Sequence, residues 1–265
     1  MSLARSTYYK ARAPAHHRTQ ADTALRTAIE TVAAQWPAYG YRRITQELYR
    51  RGIHANHKRV ARVMRQQALT AHRMRRFMTT TDSDHDLPVY PNRAGLLCPI
   101  TPDCLWVADI TYIRLRSGFV YLAVILDAWS RRVVGYAISR FIDVRLTLAA
   151  LEAAVADRQP MAGLIHHSDR GSQYAAAAYR QRLTDLGIEG SMSRKANPYD
   201  NAKAESFMKT LKHEEVLAYD YDTMEDVTQR LPRFITEIYN RQRLHSALGY
   251  QTPEEYELNY ANRPA

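Results

Sequence analysis

The chain has 265 residues, and its 46% hydrophobic content is enough for one or two packed domains. Its formal net charge of +10 is concentrated near the N-terminus, because residues 1–80 contain 16 Lys and Arg but only 3 Asp and Glu. Such a basic region is typical of proteins that contact a polyanion. No run reaches the roughly 18 apolar residues of a membrane span, the first residues lack the apolar core of a signal peptide, and Cys98 and Cys104 fit neither a zinc site nor a disulfide framework. We therefore expect a cytoplasmic protein without a membrane partner.

The N-terminal third predicts a basic arm over residues 1–19 and a small all-helical domain over residues 20–68. Apolar residues at helical spacing predict a helix from Asp22 to Gln35, a second from about Arg42 to Arg51, and a third from Asn56 to about Gln67. Two short helices joined by a tight turn form the helix-turn-helix pattern, in which the second helix enters a DNA groove. The third helix has an apolar stripe of Val60, Val63 and Met64 and a basic stripe of Lys58, Arg62 and Arg65.

Residues 69–104 predict a linker. The basic run 72–76 is followed by a polar stretch, and four prolines between residues 88 and 102 prevent regular structure.

From residue 105 to the C-terminus the pattern alternates between β-branched runs and helical stretches, which predicts an α/β catalytic core with C-terminal helices. We expect Asp143 to cap a helix whose buried stripe is Val144, Leu148, Leu151 and Val155. The predicted strands cover about 106–114, 119–127, 132–139, 163–167 and 188–192, and the predicted helices cover about 143–156, 172–186, the Glu205 region and 224–240.

Three carboxylates occupy positions where active sites form in such folds. Asp109 lies within a strand pattern, Asp169 follows a short strand, and Glu205 lies one or two turns into a helix that we expect Asp200 to cap. A dry cluster of carboxylates is costly, and a hard cation such as Mg²⁺ neutralises it. Spacing alone leaves three rival carboxylates, which are Asp127, Asp143 and Asp200.

The spacing of the first three carboxylates resembles that of the DDE transposases and retroviral integrases, since 59 residues separate Asp109 from Asp169 and 35 separate Asp169 from Glu205. The surrounding motifs, in chain order, closely resemble those of bacterial insertion-sequence transposases, specifically the product of the second reading frame. These motifs are Trp106–Ile113, Leu126–Arg132, His167–Tyr174, Ser191–Ser193, Asp200–Ala202 with Glu205–Ser206, and Tyr239–His245.

The resemblance implies a ribonuclease H-like mixed sheet preceded by a small helix-turn-helix-like domain. It implies metal-dependent cleavage and strand transfer of insertion-sequence ends, with two Mg²⁺ ions, or Mn²⁺ as a substitute, held by Asp109, Asp169 and Glu205. No protein nucleophile is needed, which separates this reaction from that of tyrosine recombinases although the chain has 18 tyrosines. It implies no structural zinc, because the His/Cys spacing of retroviral integrases is missing.

The resemblance also implies contacts with double-stranded DNA, at the terminal inverted repeats and at the target. Lys212 and Lys209 share the helical face of Glu205, while Arg170 and Asn201 lie beside the acidic motifs. The helical domain resembles the module that precedes the catalytic domain in these transposases. Its candidate DNA contacts are Lys58, Arg62, Arg65, Arg42 and Arg43.

The family implies further partners, namely the first-frame protein or a fusion to it, and other copies of this chain assembled on DNA in the bacterial nucleoid. Two other functions stay open at the level of sequence. One is a catalytically silent, transposase-derived DNA-binding regulator, and the other is a ribonuclease of the same fold that degrades RNA–DNA hybrids.

Overall fold

The computed structural model describes residues 15–69, 88–116, 118–194 and 197–262. The chain divides into two compact units, residues 1–75 and residues 76–265. Most of the predicted basic arm and residues 70–87 of the predicted linker lie outside the described residues.

Among its described residues, 15–69, the first unit contains three helices, α1 (Ala15–Gln35), α2 (Tyr41–Arg50) and α3 (His57–Gln66). Helix α1 begins seven residues before the predicted start, and the sequence between contains neither glycine nor proline. Apolar residues from all three helices meet in one core. The fully buried ones include Ile29, Val32, Ile44, Leu48 and Val60.

Local chemistry fixes the ends of α2 and α3 as the sequence predicts. Gly52 has a φ of +78° after α2, a conformation that glycine adopts without strain. The Asn56 side chain accepts a hydrogen bond from the Lys58 backbone N–H at 2.8 Å, which caps α3. The cap fixes where the basic stripe of α3 begins.

The second unit is built on a five-stranded mixed sheet with the strand order β3-β2-β1-β4-β5. Strands β1, β2 and β3 pair antiparallel, whereas β4 pairs parallel to β1 and β5 parallel to β4. The predicted α/β mixed sheet is confirmed, with strand ends shifted by one or two residues. The strands are β1 (Leu105–Leu115), β2 (Gly118–Asp127), β3 (Val133–Ser139), β4 (Ile165–Ser168) and β5 (Glu189–Met192).

Helices cover both faces of the sheet. The odd-numbered core residues of β1, such as Val107 and Ile113, pack with helices from the C-terminal part of the unit, and the even-numbered residues Trp106 and Ala108 pack with the helices that follow β3 and β4. The helices are α4 (Val144–Arg158), α5 (Ser172–Ala175), α6 (Ala177–Asp185), α7 (Ala202–Leu211), α8 (Met224–Arg233) and α9 (Pro253–Ala261). None of the described helices is both long enough and apolar enough to cross a bilayer.

The buried face of α4 differs from the predicted stripe. Val144, Leu148 and Val155 lie at its edges, and the fully buried residues are Leu146, Thr147, Ala150, Leu151 and Ala154. The reason is Gly135 in β3, which has no side chain and lets the small residues Ala150 and Ala154 approach the sheet. The predicted cap is confirmed, since Asp143 accepts hydrogen bonds from the N–H groups of Arg145 and Leu146.

The single helix predicted over residues 172–186 is broken at Ala176, which is extended with φ −58° and ψ 140°. Tyr174 and Tyr179 are five residues apart and would point about 140° apart on a continuous helix. The break brings both rings against His166, where they stack edge to face at 5.4 Å between centroids.

The C-terminal part of the chain continues the predicted long helix. Helix α8 runs without interruption into a π-helical segment, Phe234–Gln242, and a second π-helical turn, Lys212–Val216, follows α7. Helix α9 is joined to the sheet by an ionic network, in which Arg158 contacts Glu257 at 2.8 Å and Asp103 at 2.7 Å.

The last residues of the predicted linker contact the sheet edge. The Tyr90 ring covers Gly190 in β5, Asn92 Nδ2 donates to Asp200 at 2.8 Å, and the Arg93 N–H donates to Ser191 Oγ at 2.9 Å. We call residues Tyr90–Ala94 the strap. The linker interpretation did not include these contacts.

Gly135→Ala should destabilise the second unit, because the new Cβ would lie 2.4 Å from the Ala150 carbonyl oxygen and 2.6 Å from the Ala154 Cβ. Overpacking of this kind costs about 1–3 kcal/mol, and each kcal/mol lowers the Tm by roughly 2–4 °C in a domain of this size. Calorimetric melting measures it. Gly95→Ala is the matched control, because its Cβ meets only ordinary contacts; equal melting temperatures for the two variants would contradict the prediction.

Candidate active site

The two aspartates are brought together by the pairing of β1 with β4. Val107 pairs with His167, and the same offset of 60 residues holds along the ladder. Two residues further along the two chain segments are Asp109 and Asp169. Asp109 lies on the face of the sheet that α7 covers, and Asp169 directly follows β4, close enough for the charges of the two carboxylates to interact.

Glu205 reaches this edge from the first turn of α7. Ala204, Phe207 and Met208 face the core, while Glu205 is exposed. The predicted cap by Asp200 is wrong. Asn201 occupies the N-cap position, and its side chain makes no capping hydrogen bond. The Asp200 carboxylate does not cap the helix because it accepts hydrogen bonds from Arg194 and Asn92.

The three carboxylates interact electrostatically. Burial raises the pKa of Asp109 to about 7, and the negative charges of Asp169 and Glu205 act in the same direction. The Ile110 N–H, which donates to Asp109 at 2.8 Å, and the positive charge of Lys212 oppose the shift. Burial also raises the pKa of Glu205. This edge is therefore a place where negative charge accumulates and a cation would be stabilised.

The donor set fits a hard divalent cation, because it consists of carboxylate oxygens whose mutual repulsion is incompletely neutralised. Within the described ranges, however, no group of three or more His, Cys, Asp and Glu side chains is gathered closely enough to hold a metal. Exposed Glu205 has the freedom to move toward the two aspartates when a cation is present.

The rival carboxylates all have structural roles. Asp127 is fully buried and accepts hydrogen bonds from the N–H groups of Ser130 and Asp103, which fixes the β2–β3 turn. Asp143 caps α4, and the Arg194 guanidinium lowers the pKa of Asp200 to about 2. These structural roles distinguish the three rivals from Asp109, Asp169 and Glu205, whose charges interact.

Lys212 lies beside the carboxylates, and its ammonium stands 4.8 Å from the centre of the Tyr112 ring. Burial lowers its pKa, and the charge of Asp109 opposes the shift. Lys209 is exposed on the same helix. Tyr112 was missed at the sequence level, where strand alternation gave no sign that its ring would support a lysine from a distant helix.

Two predicted DNA contacts are held by the protein itself. Arg170 Nε donates to the Ser193 carbonyl at 2.8 Å. Asn201 is 5% exposed, and its Nδ2 donates to the Ala108 carbonyl at 2.9 Å. The Asn201 side chain is thus buried against β1, immediately before Asp109, and its contact with DNA stays a prediction.

The two histidines shortly before Asp169 pack inside the fold. His166 Nε2 bonds to the Tyr179 hydroxyl at 3.0 Å, and burial lowers the pKa of His166 to about 3. His167 lies between Ser191 Oγ at 2.8 Å and Ser193 Oγ at 3.1 Å, and burial lowers its pKa to about 4. Both rings are neutral at physiological pH.

In the first unit, the basic side chains predicted to contact DNA lie at the surface. Lys58, Arg62 and Arg65 are exposed on α3. Asp22 of α1 pairs with Arg62 at 3.1 Å and with Arg59 at 2.7 Å. On α2, Arg42 is exposed and lies over the Tyr41 ring, and Arg43 is half-buried over Tyr39, each at 5.4 Å.

Comparison with known proteins agrees with this arrangement. Residues 101–198 match the Integrase core domain family, residues 186–253 match a second Integrase core domain family, and residues 20–77 match the HTH-like domain family. The chain is 38% identical to the transposase of insertion sequence element IS904 from Lactococcus lactis, over 83% of this chain and 87% of the relative. The chain belongs to the insertion-sequence transposases.

Further relatives of this transposase have similar lengths. It is 40% identical to the 31 kDa protein of insertion element IS600 from Shigella sonnei, over 92% of this chain and 90% of the relative. It is 38% identical to transposase InsF of IS3A from Escherichia coli, over 83% of this chain and 76% of the relative. It is therefore a transposase with an integrase core and an HTH-like domain.

A solved structure shows the same fold. A chain of the simian T-cell lymphotropic virus intasome, solved in complex with PP2A regulatory subunit B56 gamma, superposes with a TM-score of 0.51 at 17% identity. The alignment covers 89% of this transposase and 75% of that chain. The predicted ribonuclease H-like catalytic core is thus confirmed.

Replacing Asp109 with asparagine should stabilise the transposase in EDTA at about pH 8. In the folded protein the pKa of Asp109 is about 7, above the ordinary value of 3.8. The ionised carboxylate therefore destabilises the fold at high pH, and this destabilisation disappears as the pH falls and the carboxylate is protonated. We expect a Tm gain of about 2–4 °C per kcal/mol at about pH 8, a smaller gain at about pH 5, and loss of any stabilisation by Mg²⁺.

Asp200→Asn is the matched control for this measurement. It removes a carboxylate whose pKa the Arg194 guanidinium lowers, so it should reduce the Tm under the same conditions. An Asp109→Asn protein that melts below the wild type at about pH 8 would contradict the account of Asp109.

Proposed function

We propose that Asp109, Asp169 and Glu205 hold two Mg²⁺ ions, with Mn²⁺ as a substitute, and that the protein uses them to cleave and transfer the DNA strands at insertion-sequence ends. The observation that carries this proposal is the raised pKa of Asp109, caused by its burial beside Asp169 and Glu205. When bound, such ions activate the attacking oxygen and stabilise the leaving oxygen of a phosphodiester.

The proposed chemistry exchanges phosphodiester bonds in two steps. In the first, water adds to phosphorus at the element end and the bond to the 3′-oxygen breaks, which leaves a free 3′-hydroxyl. In the second, that hydroxyl forms a bond to a phosphorus of the target, and a target 3′-oxygen leaves as a hydroxyl. Neither step requires a covalent bond to the protein, so the buried Tyr174 and Tyr179 serve packing.

Lys212 is the side chain best placed to contact a phosphate at this site. It is close enough to Asp109 for their charges to interact, and its ammonium lies over the Tyr112 ring. A DNA phosphate bound at the carboxylate edge would therefore meet a positive charge that is already oriented. Exposed Lys209 extends the same surface, whereas Arg170 contributes its charge while bonded to Ser193.

We assign DNA binding also to the first unit, through the exposed basic face of α3 and the arginines of α2. Lys58, Arg62 and Arg65 follow one another at i, i+4 and i+7, which places them along one side of the helix. Non-specific contacts of this kind are made to phosphates and release counterions. The terminal inverted repeats and the target DNA are the proposed ligands.

We further propose that the working assembly contains more than this chain. Transposition joins two DNA ends, so at least two catalytic cores have to meet on DNA, either as copies of this chain or together with the first-frame protein or a fusion to it. The silent-regulator alternative lacks support, because all three carboxylates are present at one edge.

The reaction is tested with labelled DNA carrying the element ends and Mg²⁺ or Mn²⁺. We expect nicking and strand joining by the wild type. We expect a loss of at least about 10³-fold in Asp109→Asn, Asp169→Asn and Glu205→Gln, because each removes one charge from the cation site. Asp143→Asn, which changes a helix cap on the same unit, is the control and should retain activity.

An outcome with full activity in any of the three variants would refute the assigned site. A wild type that binds DNA but neither nicks nor joins it, even when fused to the first-frame protein, would support the silent regulator instead. Degradation of RNA–DNA hybrids without strand joining would support the ribonuclease.

DNA binding by the first unit is tested by its salt dependence. Removing Lys58, Arg62 and Arg65 by alanine substitution should weaken binding to any duplex sequence, and the slope of log affinity against log salt should become shallower by up to about one for each phosphate that the variant no longer neutralises. Fluorescence anisotropy over a salt series measures this. Glu30→Ala on α1 is a control that removes no positive charge, and an unchanged slope in the triple variant would exclude this face.

A further inference from the structure

Two backbone carbonyls stand immediately before the catalytic aspartates, and each accepts a hydrogen bond from the segment that leads to Glu205. Asn201 Nδ2 donates to the Ala108 carbonyl at 2.9 Å. Ser193 donates twice to the Ser168 carbonyl, from its N–H at 2.9 Å and from its hydroxyl at 3.3 Å. One segment, residues 193–201, therefore contacts the chain beside both aspartates before it enters α7.

Ser193 also contacts the other side of Asp169. Its own carbonyl accepts the Arg170 Nε–H at 2.8 Å, so the residues before and after Asp169 are both bonded to Ser193. This matters because Asp169 lies beyond the last residue of β4, Ser168. The regular ladder that supports Asp109 does not extend to Asp169.

A series of hydrogen bonds, each with a defined donor and acceptor, orients the Ser193 hydroxyl. Ser191 Oγ accepts the N–H groups of Arg93 and Ala94, at 2.9 and 3.3 Å, so its single hydrogen is available for His167 Nδ1 at 2.8 Å. His167 must then carry its proton on Nε2 and donate it to Ser193 Oγ at 3.1 Å. The Ser193 hydrogen is left to point at the Ser168 carbonyl.

Each member of this series is buried, so water does not replace a missing partner easily. Ser191, His167 and Ser168 are at most 2% exposed, and Ser193 is 7% exposed. Without the Ser193 hydroxyl, the Ser168 carbonyl would keep only the Ser193 N–H as a donor, and the buried His167 Nε2–H would lose its acceptor, which costs more than the bond itself contributes. Packing alone would be served equally well by alanine at position 193.

We propose that Ser193 and Asn201 are positioning residues, which set the turn at Asp169 and the strand at Asp109 through the carbonyls that precede them. His167 acts through Ser193, and the strap sets the direction of its hydrogen bonds. The proposal deepens the proposed function, since it concerns the same carboxylates, but its first test requires neither metal nor DNA.

The first test is hydrogen exchange of the Gly171 amide, which donates to Asp169 Oδ1 at 3.0 Å and reports on the turn. Ser193→Ala should accelerate its exchange about fivefold to tenfold, as expected for the loss of one buried hydrogen bond. Ser193→Thr keeps a hydroxyl and should restore slow exchange. Thr147→Val is the matched control, because it removes a buried hydroxyl that is bonded to the Val144 carbonyl within α4 and not to the turn at Asp169.

Unchanged exchange at Gly171 in Ser193→Ala would overturn the proposal for this residue. So would equal acceleration in Thr147→Val, or acceleration spread evenly over the whole unit, since either would indicate general destabilisation. Acceleration confined to the neighbourhood of residues 168–171 and reversed by Ser193→Thr would support it.

The second test measures Mn²⁺ binding by calorimetry and then single-turnover DNA cleavage. Ser193→Ala and Asn201→Ala should each weaken Mn²⁺ binding and slow cleavage at saturating metal by about fivefold or more, with unchanged DNA affinity. Equal loss of DNA affinity, or no change in Mn²⁺ binding, would refute the positioning role. If the wild type itself failed to cleave DNA, the proposed function would fail, and the exchange result would still decide the proposal about the turn.

Discussion

The site depends on one constraint, which is the parallel pairing of β1 with β4 at a fixed offset of 60 residues. This register places two carboxylates side by side at the end of the short strand β4, where their charges repel. The free energy that holds them together comes from the apolar layers on both faces of the sheet, including Trp106 and Val107, which immediately precede the site. The fold thus holds the two aspartate carboxylates near each other, although their mutual repulsion favours separation.

Burial of Asp109 is the feature that converts this geometry into cation affinity. An isolated carboxylate in a dry site protonates at neutral pH, which is what a pKa of about 7 describes. A bound divalent cation would reverse that tendency, because its charge favours the ionised form. Under the proposed function, Glu205 is the exposed ligand and Asp109 the half-buried one, so Glu205 has more freedom to adjust to a cation.

Much of the fold follows from local sequence signals, and the deviations share one cause. Strand alternation, the Asn56 and Asp143 caps and the turn at Gly52 predicted element types correctly, because those signals act within a few residues. The buried face of α4 differs from the predicted one because it depends on Gly135, which lies on β3. The break at Ala176 depends on His166, which is likewise distant in sequence. Tertiary contacts decided both.

The candidate site shows the same division between local and long-range information. Motifs and spacing predict Asp109, Asp169 and Glu205 as the site, Asn201 as a DNA contact and Asp200 as a helix cap. The cap is wrong, because the Asp200 carboxylate accepts hydrogen bonds from Arg194 and Asn92, which lie elsewhere in the chain. In the structure, the side chains of Asp200 and Asn201 form hydrogen bonds with other residues of the protein, and Asn201 Nδ2 donates to the carbonyl of Ala108, the residue before Asp109.

The three carboxylates are positioned by different parts of the fold. Asp109 lies in a strand whose register is fixed by its ladders, Asp169 lies in the turn after β4, and Glu205 lies in a helix that is preceded by the chain segment carrying Ser193 and Asn201. Without side-chain bonds from this segment, the helix could shift relative to the strands at little cost, since apolar packing tolerates small displacements. Hydrogen bonds to the carbonyls of Ala108 and Ser168 are directional. They set the position of the helix at the two points where an error would reach the carboxylates.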